Sequence, residues 1–88
     1  NVFSPSSITL DGLKYPKFIF VVKNGTNEIK TYQYNLATKS LDLLYSKTVG
    51  SHPINQIIVH PSNQFLIAAD GSGIRTLDIS SDGELTDV

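Results

Sequence analysis

Two histidines, one lysine, one aspartate and two asparagines are the side chains here with the best claim to chemistry. His60 belongs to a His60-Pro61-Ser62-Asn63 turn, and His52 precedes Pro53 in the link Val49-Gly50-Ser51-His52-Pro53. An imidazole titrates near neutral pH, so beside a carboxylate and an ammonium it can move a proton or ligate a metal. Lys23 and Asp70 each follow the most apolar run of their half of the chain, and could join His52 in such a constellation. Nothing in the spacing requires it. Ser4, Ser6, Ser7 and Ser51 lack the strand-to-helix context of a nucleophile elbow. No helix follows Asp70-Gly71-Ser72-Gly73 to hold a phosphate, so that stretch is expected to be a hairpin turn. Asn24-Gly25-Thr26 is a formal glycosylation sequon, but its Asn-Gly pair already has a reading as a turn. No catalytic residue, metal site or cofactor is therefore assigned, and His60 is read as a structural turn residue.

The elements that must position these groups are strands. After a leading segment (1–6), Ser7-Ile8-Thr9-Leu10 alternates and ends at an Asp11-Gly12 turn. Phe18-Ile19-Phe20-Val21-Val22 is a continuous apolar run of the kind buried on both faces. Beyond the Asn24-Gly25 hairpin signal, Ile29, Thr31 and Gln33 fall on one face, with Lys30, Tyr32 and Tyr34 on the other. A turn at Asn35-Leu36-Ala37-Thr38-Lys39 leads into a fourth strand, Ser40-Leu41-Asp42-Leu43-Leu44-Tyr45-Ser46. The pattern then restarts with Ile57-Ile58-Val59, a turn, the buried strand expected at Phe65-Leu66-Ile67-Ala68-Ala69, a Gly-rich turn, and the alternating Ile74-Arg75-Thr76-Leu77-Asp78-Ile79. The turn Ser80-Ser81-Asp82-Gly83 and the beginning of a last strand complete it. No segment carries a 3.6-residue period with helix caps.

Phe18 and Phe65, Ile29 and Ile74, and Leu41 and Leu85 recur 44–47 residues apart. Four strands at that period describe a β-propeller blade. The expectation is an all-β chain of about two four-stranded antiparallel blades, 7–50 and 51–88 (its outer strand incomplete), within a larger ring. The alternative is a small β-sandwich or barrel. In a propeller the second-strand turns and the inter-blade links open on one face of the ring. Lys23, Asn24, His52, Asn55 and Asp70 are therefore candidate ligand-binding residues there. Tyr32, Tyr34 and Tyr45 suit packing between blades.

Composition narrows the partners. Seven basic residues are scattered among eight acidic ones for a net charge of −1, which disfavours nucleic acid or an anionic membrane. With no cysteine there is no disulfide or thiolate chemistry. No apolar run reaches the roughly 18–20 residues of a membrane span, and no signal-peptide pattern opens the sequence, so the cytoplasm is expected.

From Pro53 through Ile67 the chain reads Pro-Ile-Asn-Gln-Ile-Ile-Val-His-Pro-Ser-Asn-Gln-Phe-Leu-Ile, followed by Ile74-Arg75-Thr76-Leu77-Asp78-Ile79 and Gly83-Glu84-Leu85. This resembles the blade phrase of the lactonase-like propellers, the family of bacterial 6-phosphogluconolactonase and fungal carboxymuconate cyclases. Asn55 and Gln56 stand where that family carries Arg-His. WD-repeat blades share the skeleton, but their Gly-His and Trp-Asp dipeptides are absent. The leading expectation is an interaction scaffold that binds protein partners and is completed by further blades in the same or another chain. As an oligomer, several copies could close one ring. The resemblance implies the alternative, part of a lactonase- or cycloisomerase-like enzyme acting on a small cyclic ester or organic acid.

Overall fold

The computed structural model describes residues 5–10 and 18–88. Among these residues eight strands form two four-stranded antiparallel sheets, each a simple meander. The first holds β1 (Pro5–Leu10), β2 (Phe18–Lys23), β3 (Glu28–Asn35) and β4 (Ser40–Thr48). The second holds β5 (Ile54–Val59), β6 (Phe65–Asp70), β7 (Gly73–Ile79) and β8 (Leu85–Asp87). Among the described residues there is no helix, hence none long and apolar enough to cross a membrane. The chain is all-β, two propeller-type blades side by side. The expected Asp11-Gly12 turn lies outside the described residues.

The two sheets repeat in detail. In β1 the register runs Pro5↔Lys23 then Ser7↔Val22, and in β5 it runs Ile54↔Asp70 then Gln56↔Ala69. Each inner strand thus has one surplus residue, Ser6 or Asn55, a β-bulge at the same end of its sheet. Asn55 and Gln56 accordingly lie within β5 rather than before it.

Turn chemistry departs from the simplest reading at Asn24-Gly25. A two-residue Asn-Gly hairpin would place both residues at positive φ. Here the loop has four residues, 24–27, and Gly25 has φ 83° while Asn24 stays in the ordinary region. Thr26 N donates to the Lys23 carbonyl at 3.1 Å, the pattern of a type II turn. The longer loop frees Thr26 and Asn27 for bonds to the inter-sheet link. At the next turn Asn35 Oδ1 accepts from Ala37 N (3.0 Å) and Thr38 N (3.3 Å), and Lys39 closes it at φ 56°.

The sheets bury one face each against the other. Phe18, Phe20, Val22 and Ile29 of the first meet Ile57, Val59, Leu66, Ala68, Leu77 and Leu85 of the second. Side-chain hydroxyls fasten the seam. Ser7 Oγ accepts from Ile57 N (3.0 Å) and Thr9 Oγ1 from Val59 N (3.3 Å). Buried Thr31 donates through Oγ1 to the Gly83 carbonyl (3.0 Å), and Tyr45 OH donates to Asp82 (2.8 Å). The β5 amides of Ile57 and Val59 thereby find partners in β1 hydroxyls although the two strands do not pair.

Burial then separates the two apolar strands. In β2, Phe18, Phe20, Val21 and Val22 are buried and Ile19 is half-buried, close to what the continuous run predicts. In β6 only Leu66 and Ala68 are buried, whereas Phe65, Ile67 and Ala69 are half-buried. Among the described residues no sheet lies over their face of the second sheet. Ile58 and Ile74, on the same face by register, are 55% and 76% exposed. The opposite face of the first sheet is open in the same way, with Ile8, Leu10, Tyr34, Leu41 and Leu43 exposed.

Candidate functional site

The candidate residues gather at the end of the sheets where β2 turns into β3, β6 turns into β7, and the link joins the blades. The link is held by the first blade's turn. Val49 N donates to the Asn27 carbonyl (2.8 Å), Ile54 N to the Thr26 carbonyl (2.9 Å), and Asn27 Nδ2 to the Gly50 carbonyl (2.7 Å). Val49 is buried in the seam, so the link is anchored from below and clamped from the side.

Asp70 ends β6 with a two-residue hairpin loop, Gly71 and Ser72, before Gly73 starts β7. Its Oδ1 accepts from both Ser72 N and Ser72 Oγ at 2.8 Å, and its Oδ2 accepts from Arg75 Nε at 3.0 Å. The carboxylate is 1% exposed in this setting. The Ser72 hydroxyl first, then its amide and the Arg75 guanidinium, hold the Asp70 carboxyl down to about 2. At neutral pH it is ionised with both oxygens occupied, an anchor and a poor proton acceptor. The Arg75 guanidinium also lies flat on Gly50, whose φ is 62°; a methyl there would sit 2.7–2.8 Å from it.

His52 is exposed in the link, with Nδ1 3.5 Å from Ser51 Oγ, and a methyl on Gly71 would lie 3.9 Å from its Cδ2. The fold thus brings His52 beside the Asp70 turn. Lys23 and Asn24 are exposed in the neighbouring turn, and Asn55 is exposed at the β5 bulge. His60 stands apart. Its ring stacks on Phe65 at 4.2 Å, and Nδ1 accepts from Ser62 N at 3.1 Å, a turn-building role.

Sequence reading missed Arg75, Gly50 and Asn27, which organise this end. The Asp-x-Ser spacing of 70–72 is a signal for a side chain that accepts from the residue two positions on. The hairpin register then places Arg75 on the same side of the sheet as Asp70. No comparable signal reveals that Asn27 holds the link across 23 residues.

Two consequences are measurable. Gly50→Ala should cost about 1 kcal/mol for a left-handed alanine and push Arg75 off its seat, so the Asp70 carboxyl should titrate higher by NMR. An unchanged Asp70 titration would refute the coupling. The pH dependence follows from the lowered carboxyl. Its contribution to stability is complete above the ordinary carboxylate range and is lost as pH falls from about 4 toward 2. Urea midpoints of the Asp70→Asn variant should therefore fall less across that interval than those of the parent.

No protein-family model matches the chain, and no curated protein matches its sequence. Among solved structures, the chain is similar to a protein from Lactobacillus plantarum, with a TM-score of 0.75 over 96% of this chain at 18% identity. The likeness is one of fold. The matched region is 24% of the Lactobacillus protein's length, so the two sheets correspond to a quarter of a longer architecture.

Proposed function

We propose that this chain is an interaction scaffold: two blades built into a larger propeller through their open faces, presenting the clamped loop end to a protein partner. One observation carries the reading. By register, Phe65, Ile67, Ala69, Ile74 and Thr76 on the open face of the second sheet occupy the places that Phe18, Phe20, Val22, Ile29 and Thr31 occupy in the buried seam. An apolar surface that repeats a buried one is suited to the same kind of cover. Hydroxyl-radical footprinting of the protein from its natural source tests this, with exposed Leu36 as internal reference. Tyr34, Leu41, Ile58 and Ile74 should be shielded; oxidation at the rate of Leu36 would overturn the reading.

The second reading is a lactonase- or cycloisomerase-like enzyme binding a small cyclic ester at the loop end. The position of His52 beside the Asp70 turn favours it. It expects a completed ring to open lactones faster than its His52→Ala variant, and equal rates would remove His52 from any such role.

A further inference from the structure

We infer that the open face of the second sheet takes a blade of different sequence from this one, a four-stranded sheet bearing glycine at the left-handed position of its last turn. The inference rests on the ring reading above and names the partner of that face.

The seam inside the chain shows what the face requires. Gly83, at φ 92°, lies directly over Phe18 and Thr31. A methyl there would come within 2.8 Å of the Phe18 ring and 3.0 Å of Thr31 Cγ2. The Gly83 carbonyl accepts the buried Thr31 hydroxyl, and Asp82 accepts from Tyr45. On the open face Phe65 and Thr76 stand at the Phe18 and Thr31 places, and His60 stacked on Phe65 limits how far that ring can yield.

A second copy of this chain would bring its own first blade to that face. The left-handed residue of that blade's last turn is Lys39, at φ 56°, and the residue before it is Thr38, whose hydroxyl is 2.6 Å from Ser40 Oγ. In the geometry of the seam, the Lys39 Cβ would drive into Phe65 where glycine fits. The backbone of the turn is already correct for the contact. Its side chain is what excludes it.

A photo-crosslinking Phe65→p-benzoylphenylalanine variant, irradiated within the native assembly, tests the proposal. The expected product joins position 65 to a turn with glycine before a final strand, from outside residues 36–40. A link to residues 36–40 of a second copy, or to a turn without glycine, overturns the inference while leaving the ring reading intact. Ile74 oxidised as fast as Leu36 overturns both. By sedimentation, Lys39→Gly should also raise self-association of the 88-residue chain at least tenfold. Unchanged association would overturn the steric argument.

Discussion

Phe20→Ala should lower the urea midpoint far enough that the folded chain is barely populated in water at 25 °C. Phe20 is 0% exposed at the centre of the seam, opposite Thr31 on β3 and level with Thr9 on β1. Truncating a buried Phe to Ala costs about 3–5 kcal/mol, the larger values where neighbours cannot collapse into the space. Collapse is restricted here because Ser7, Thr9 and Thr31 fix the spacing of the two sheets through hydrogen bonds. Domains are stable by about 0.05–0.15 kcal/mol per residue, so one such loss takes a large share of the total for a chain this size. Phe20→Leu, which keeps most of the volume, should lose under half as much. Equal losses for the two variants would mean the seam relaxes freely.

Gly83→Val should be nearly as damaging for a different reason. The left-handed backbone disfavours any β-branched residue, and the side chain must occupy space already held by the Phe18 ring. Overpacking costs about 1–3 kcal/mol, and left-handed backbone about 1–2 more. Gly83→Ala should show most of the effect. Pairing it with Phe18→Leu should restore part of the stability, since the clash is with the ring. Restoration would be absent if the loss came only from φ. In contrast, Lys39→Gly in the matching, exposed turn of the first blade should not destabilise the chain and should relieve about 1 kcal/mol of left-handed strain.

The contrast between Gly83 and Lys39 marks how far the sequence was legible. Strand content, the four-strand period and the faces of β3 all follow from alternation and apolar runs, because side-chain direction in a strand has a period of two. Phe18 and Phe65, or Ile29 and Ile74, declare themselves as equivalents. Burial did not follow as easily. Phe65-Leu66-Ile67-Ala68-Ala69 reads as a buried strand, yet only Leu66 and Ala68 are buried among the described residues, because burial depends on what packs over a strand and not on its own residues. At the loop end, Lys23, Asn24, His52, Asn55 and Asp70 were recognisable as turn and link residues. The residues that make that end rigid, Asn27, Gly50 and Arg75, act across the chain, and their pairings are properties of the packed sheets. Asp82 and Tyr45 are another such pair, 37 residues apart. Their hydrogen bond raises the Tyr45 hydroxyl above its ordinary range, while the Ser80 hydroxyl and then Tyr45 hold the Asp82 carboxyl below its own.

The clamp between residues 26–27 and the link has a mechanical consequence. A loose tether would let one sheet swing away while the other stayed folded, and each would unravel on its own schedule. Here the tether begins and ends on hydrogen bonds to the turn of the first blade, at Asn27 and Thr26. Tension along the chain therefore reaches the β2–β3 hairpin before the link can lengthen. The two blades share one load path and should yield together, as a hinge pinned at both leaves does not open.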